Sequence, residues 1–371
     1  MIRKILKYGA TAIACFVVLV LSSALSYRAY LQHEVSQERA IRSPNGINSL
    51  ARVRTGGIDQ WIEVRGQSVN NPILLFIHGG PGLAFIPMAG AFQSPWEKYF
   101  TVVQWDQRGA GKTYASNDKE QQRRTLNVPQ MEQDTLDVVN YLRNRFHKKK
   151  IFVVGHSWGS ILGLWLAHEH PETIYAYVGV GQVVNVEQNQ EIAYQDALQE
   201  ARARRNEQAI KDLEGIAPYP PPDGDLGKGQ IANNWQAKLL GPPNNGVEFV
   251  DGKRLVKSLV SAPEYSIGDD LAFVRGQLFS LETLTSEMSK VDLGRLNLDF
   301  QVPIFFFEGR HDPYCRPSLI QQYSDTIRAP RKDFVWFENS GHFPFFEEKQ
   351  KFADELFQRV LPIAVDRWDS T

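Results

Sequence analysis

Apolar positions along the chain fall into two rhythms. Short continuous runs occur at 72–77 (PILLFI), 100–105 (FTVVQW), 151–154 (IFVV), 174–180 (IYAYVGV), 302–307 (VPIFFF) and 333–337 (DFVWF). Runs this short, without period-two alternation, predict strands covered on both faces in a largely parallel sheet. Between them the period lengthens. Met131, Leu136, Val139 and Leu142 share a helical face, as do Ile161, Leu164 and Leu166 after Ser160, and 352–360 is amphipathic. Upstream, ARVRT, Gly56-Gly57 and DQWIEVRG read as an opening β-hairpin. Strand and helix alternate twice over, which predicts a doubly wound α/β sheet.

The strand rhythm stops between 183 and 298. There a charged helical segment (QEARARRNEQAIKDLEG) gives way to a Pro/Gly-rich stretch at 218–229 and further helical patterns, and strands resume at 302. The expected division is therefore a core in two parts, 51–182 and 299–371, with an inserted helical cap at 183–298. The Pro/Gly stretch reads as a loop between cap helices.

The N-terminus has a pattern of its own. Arg3, Lys4 and Lys7 precede an apolar run over 8–25, followed by Tyr27 and Arg28. At roughly 18 residues the run is longer than a cleaved signal core and just long enough to span a bilayer. Residues 1–30 read as a signal anchor, with 31–50 a polar spacer and the catalytic domain outside the cytoplasm. Ala24-Leu25-Ser26 offers a small-x-small cleavage pattern, so a secreted form is the alternative.

Charge and composition narrow the classes. Lys+Arg 41 against Asp+Glu 42 gives a net charge of -1, without the basic excess of a nucleic-acid binder. With 43% hydrophobic and 22% charged residues the chain can bury a full core and is neither disordered nor a multi-span membrane protein. Two cysteines, Cys15 and Cys315, are too few for a disulfide framework. His168-Glu169-His170 lacks the i, i+4 spacing of a helical zinc site, so neither metal nor cofactor is expected. Oligomeric state is not legible in the pattern.

Gly155-His156-Ser157-Trp158-Gly159 joins the strand IFVV directly to the helix SILGLWLAHEH. This G-x-S-x-G turn between strand and helix is a nucleophile elbow, with Ser157 at a helix N-terminus where developing negative charge is favoured. His78-Gly79-Gly80-Pro81-Gly82 follows the strand PILLFI. In that position the N–H of Gly80, or of Gly79, together with that of Trp158, would form an oxyanion hole. Gly111-Lys112-Thr113 is not a phosphate loop, because Asp106 stands where that motif needs a glycine.

HGGPG at 78–82, WDQRGAGKT at 105–113 and GHSWGSILGLWLAHEHPE at 155–172 resemble the proline iminopeptidase (prolyl aminopeptidase) family of α/β-hydrolase serine peptidases. The resemblance covers the core on both sides of the cap. It implies a triad in the chain order Ser, acid, His. Asp312 in Gly309-Arg310-His311-Asp312 matches the family's G-x-x-D turn, and His342 follows the next strand in Ser340-Gly341-His342. His156 is expected to pack against the sheet or line the pocket, and Asp106 and Arg108 to fix loops near the oxyanion site. The family binds the substrate amine with cap glutamates. Glu187 and Glu191, at the start of this cap, are the candidates, although the cap does not match the family's. The expected activity is aminopeptidase action on short peptides through an acyl-enzyme. An esterase or lactonase on the same triad, acting on a small acyl substrate, is the alternative, and a silent hydrolase-fold binding module is a third reading.

Overall fold

The computed structural model describes residues 2–221, 225–242, 252–296 and 298–365. Eight strands form one sheet: β1 (Ile47–Thr55), β2 (Ile58–Gly66), β3 (Ile73–Ile77), β4 (Thr101–Asp106), β5 (Ile151–His156), β6 (Ile174–Val180), β7 (Ile304–Gly309) and β8 (Lys332–Phe337). Their order is β1-β2-β4-β3-β5-β6-β7-β8. The first two pairings, β1 with β2 and β2 with β4, are antiparallel, and all the rest are parallel. Every apolar run singled out in the sequence is a strand, and the doubly wound α/β expectation holds.

Burial on both faces explains the continuous runs. Ile73, Leu75 and Ile77 of β3 enter one core cluster while Leu74 and Phe76 enter the other, on the opposite face of the sheet. With both faces dry, an alternating polar residue would be left without water or partner. The hairpin turns at Gly56 and Gly57, with φ of +54° and +77°, the left-handed pair that a two-residue turn needs. β1 begins at Ile47 rather than 51, because an edge strand buried on one side shows only weak alternation.

The helices are α1 (Ile2–Glu38), α2 (Gly111–Ser116), α3 (Lys119–Thr125), α4 (Val128–Arg145), α5 (Trp158–Glu169), α6 (Val186–Ala203), α7 (Glu207–Gly215), α8 (Leu226–Leu240), α9 (Gly252–Ser261), α10 (Ile267–Met288) and α11 (Pro317–Thr326), with shorter turns near the C-terminus. Residues of α4, α5 and α11 cover one face of the sheet. The other is covered by 84–100 and 343–364, where Phe76 meets Phe85, Phe92, Trp96 and Phe345 at ring-centroid distances of 5.2–6.1 Å. Each fully buried ring contributes about 1.5–3 kcal/mol, and together they fix the floor beneath the loop that carries His342.

Between β6 and β7 the described residues form helices joined by loops. α6, α7 and α8 share a small core of their own around Tyr194, Leu198, Leu213 and Leu239. The Pro/Gly stretch lies between α7 and α8, with 222–224 outside the described residues. Residues 31–50 are not a simple spacer: the chain is helical to Glu38 and extended from Ile47. Arg39 at the end of α1 pairs with Glu63 and Glu264 at 3.2 and 3.1 Å, and this holds the segment on the domain.

Candidate active site

Ser157 stands between β5 and α5 with φ +51° and ψ −121°, a backbone conformation that a side chain with a Cβ adopts only under constraint. Its neighbours supply that constraint. A Cβ at Gly155 would lie 2.6 Å from the Gly159 carbonyl oxygen, and one at Gly159 would lie 2.1 Å from that of Ile77, so nothing larger than glycine fits on either side. The Ser157 N–H donates to the Val180 carbonyl at 2.9 Å, tying the turn to the next strand. Ser160 closes it from below, its Oγ donating to the Ser157 carbonyl at 2.5 Å and accepting from the Val183 N–H at 2.9 Å.

Asp312 and His342 come from loops after β7 and β8. His342 Nδ1 and Asp312 Oδ2 are 2.7 Å apart and both side chains are buried. The other carboxylate oxygen accepts the N–H groups of Tyr314 and Cys315 at 2.8 and 2.9 Å. Gly181, with φ +54°, is the wedge between this pair and the serine turn. A Cβ there would sit 2.8 Å from His342 Cε1 and 3.3 Å from Asp312 Oδ2, one residue past the carbonyl that holds Ser157. Asp312 and His342 thus pair in the loops after β7 and β8, and Gly181, next to the residue whose carbonyl holds the Ser157 N–H, sets that pair beside the serine turn.

The glycine loop after β3 reaches the same spot. A Cβ at Gly79 would lie 2.9 Å from Ser157 Cβ. Among the described residues the N–H groups of Gly79, Gly80 and Trp158 make no hydrogen bond to protein, so they remain for an incoming oxygen. His78 lines the back of this loop. Burial pulls its imidazole down to about 4, so it is neutral. Its Nδ1 faces the Gly79 carbonyl at 2.9 Å, which makes that nitrogen the donor, and its Nε2 accepts the Gln107 N–H at 3.3 Å.

Gln107 is a residue that the sequence reading missed. Its amide donates to the His78 carbonyl at 2.8 Å and accepts from Trp158 Nε1 at 3.2 Å, joining the glycine loop to the elbow. Arg108, expected in that role, points elsewhere. It forks onto Asp134 at 2.8 and 3.0 Å and donates to the Gly56 carbonyl, so it braces the hairpin turn. Asp106 holds the start of α2 through the Lys112 N–H at 2.8 Å, and accepts from Tyr265 Oη at 2.5 Å. Lys112 pairs with Asp269 at 2.7 Å, so the GKT segment serves packing.

His156 packs as expected. Its ring stacks on Phe85 and its Nε2 lies 2.9 Å from the His342 carbonyl. Burial holds the ring well below its ordinary titration, so it is neutral, with Nε2 the donor. Glu308, at the end of β7, was also missed. It is fully buried beneath Asp312 and accepts the Gln182 N–H at 3.1 Å, and burial pushes its carboxyl well up.

Glu187 and Glu191 do not join the site. Both are exposed on α6. Each lies two residues from Asn189, whose side chain grips the Tyr314 carbonyl and the Arg316 N–H at 2.6 and 2.7 Å. Two residues are about 200° of helix, so both glutamates face away from the acid loop. Asp312, Cys315 and His342 offer three ligand atoms within 4.8 Å of one another. The Nδ1–Oδ2 separation of 2.7 Å is a hydrogen bond that leaves no room for an ion between them. Burial also raises the Cys315 thiol, which keeps it protonated.

Residues 72–349 match the family described as the α/β hydrolase fold. A Bacillus subtilis protein named "Probable aminopeptidase YbaC" is 31% identical over 318 residues, covering 85% of this chain and 97% of that protein. The proline iminopeptidase of Lactobacillus delbrueckii subsp. bulgaricus is 22% identical over 307 residues, 81% of this chain and 94% of its own. Among solved structures, a membrane phospholipase A described as a bacterial virulence factor superposes with TM-score 0.62 at 16% identity, over 96% of this chain and 99% of that one. The proline iminopeptidase of Mycobacterium smegmatis gives 0.57 at 19% identity, over 86% and 100%. At such identities the structural likeness speaks for the fold alone.

Proposed function

The chain belongs to the α/β hydrolase fold family and is a hydrolase, and we propose that it is a membrane-anchored serine aminopeptidase acting through an acyl-enzyme. The observation that carries this reading is the buried His342–Asp312 hydrogen bond at 2.7 Å beside a serine held at positive φ. His342 takes the proton of Ser157 Oγ as that oxygen attacks the scissile carbonyl. Asp312 keeps the imidazole in one tautomer and stabilises its charged form. The N–H groups of Trp158 and of Gly80, or Gly79, receive the carbonyl oxygen as it becomes negative. The C–N bond then breaks, the proton on His342 passes to the leaving amine, and water releases the acyl group by the same steps in reverse. The aminopeptidase and iminopeptidase names of the full-length relatives support a peptide substrate with a free amino end.

α1 supports the anchor. It is long and apolar, and its apolar window is unburied. The basic residues before the run would stay on the cytoplasmic side and place the catalytic domain outside. Helices within 183–298 then act as the cap over the site.

Release of arylamine from aminoacyl arylamides, proline and alanine included, by the full chain in detergent tests the proposal. Turnover lost in Ser157→Ala is expected. The exposed placement of Glu187 and Glu191 favours an esterase or lactonase as second reading, and serine-dependent turnover confined to acyl esters would establish it.

A further inference from the structure

We propose that the outward face of α10 is a membrane-contact surface, seated in the headgroup layer of the bilayer that α1 spans. The inference rests on reading α1 as an anchor.

α10 is apolar on two opposite sides. One side buries Ala272, Phe273, Gly276, Phe279, Ser280 and Leu284 against the core, and Ser280 Oγ donates to the Gly109 carbonyl at 3.0 Å. On the other, Ile267, Leu271, Val274 and Leu278 are 50%, 55%, 50% and 63% exposed. Their spacings of four, three and four residues put all four in one stripe, about half a turn from the buried side. A surface helix in water keeps its outward face polar. A continuous apolar stripe marks a contact surface instead.

α1 identifies what covers it. Arg28 donates to the Asp270 carboxylate and to the Tyr265 carbonyl, the latter at 2.8 Å. Gln32 donates to the carbonyls of Ala262 and Tyr265 at 2.8 and 3.1 Å. These bonds fix α1 to the first turn of α10 and to the turn before it. The apolar run ends at Leu25, three residues before Arg28, which is about 4.5 Å along a helix. The headgroup layer is about 5–7 Å deep on each side of the hydrocarbon. The start of the stripe, one residue on either side of the Gly268–Asp270 turn, is therefore held at headgroup depth. α9, which packs against α1, carries the exposed Lys257, a cation suited to anionic headgroups. Four half-exposed aliphatic side chains fall short of the roughly 800 Å² per partner of a stable protein interface. A bilayer needs no such area, because α1 already supplies the attachment.

The test uses the full chain in vesicles of phosphatidylcholine and phosphatidylglycerol in equal parts, with an environment-sensitive fluorophore on one cysteine at a time. Native Cys15 is exposed on α1 and Cys315 is buried away from the reagent. Leu271→Cys, Leu278→Cys and Lys149→Cys are each made in a Cys15→Ser background, Lys149 being exposed at the far end of the sheet, just before β5. The expected result is loss of emission at 271 and 278 with nitroxide lipids labelled near the headgroup, loss at Cys15 with deeply labelled lipids, and none at 149. Quenching at Cys15 with 271 and 278 as bright as 149 would overturn the inference while leaving the anchor standing. No quenching at Cys15 would remove the anchor reading, and the inference with it. A blue shift at 271 in detergent that grows with protein concentration would assign the stripe to a second copy and overturn the inference.

Discussion

His342 Nδ1 lies 2.7 Å from an Asp312 carboxylate whose other oxygen is already held by two backbone N–H groups. The acid therefore cannot rotate, and the imidazole it orients is fixed in the tautomer that leaves Nε2 free to accept a proton. Asp312→Asn keeps the shape but presents an amide N–H to Nδ1, which favours the wrong tautomer. Its expected effect is a loss in kcat of about 10³–10⁴-fold with an unchanged circular dichroism spectrum. A loss below tenfold would place the acid elsewhere.

Gln107 couples the two halves of the oxyanion site through His78 and Trp158. Gln107→Ala leaves both donors in place but releases their relative position. The expected result is a fall in kcat of about 10–10²-fold, with KM for a small arylamide nearly unchanged, because the loss falls on the transition state. An equal loss in a Ser157→Ala background, measured on its residual turnover, would show that the residue acts on folding instead.

The strands were legible because double-sided burial forbids polar residues within them, as in Leu74 and Leu75 of β3, which face opposite clusters. The elbow was legible because its glycines answer to backbone contacts only a few residues away, such as that of Gly155 with Gly159. Gln107 and Glu308 were not. Their partners, Trp158 and Gln182, lie 51 and 126 residues away, and no local period marks them. The end of α1 was hidden for the same reason, since Arg28, Gln32 and Arg39 find their partners more than 200 residues along the chain or on β2. Arg108 misled by adjacency, its side chain running back to Asp134 rather than forward to the oxyanion loop.

Burial pushes the Glu308 carboxyl well up, which favours its uncharged form, and one of its oxygens holds the Gln182 N–H beside Gly181. A neutral amide of the same shape should replace it. Glu308→Gln is expected to keep kcat within about threefold, and Glu308→Ala to lose about tenfold or more as Gly181 loosens against His342. Equal losses in the two variants would show that the negative charge matters and contradict the assignment.

Burial pushes Asp106 from its ordinary 3.8 up to about 7. Between these values the folded chain keeps a proton that the unfolded chain has released. Unfolding then gives up a proton, and stability falls as pH rises through this window. Asp106→Asn cannot ionise, and its amide oxygen can still accept from Tyr265 and from the Lys112 N–H. Melting temperature is expected to fall from pH 5 to pH 7 more steeply in the wild type than in Asp106→Asn, and parallel curves would contradict the shift.

The most direct test of the central claim is to treat the full chain with a fluorophosphonate and map the adduct by peptide mass. A single adduct on Ser157, absent from Ser157→Ala and slowed in Asp312→Asn, is the expected result. An adduct on another residue, or none on a folded protein, would contradict the assignment of Ser157 as the nucleophile.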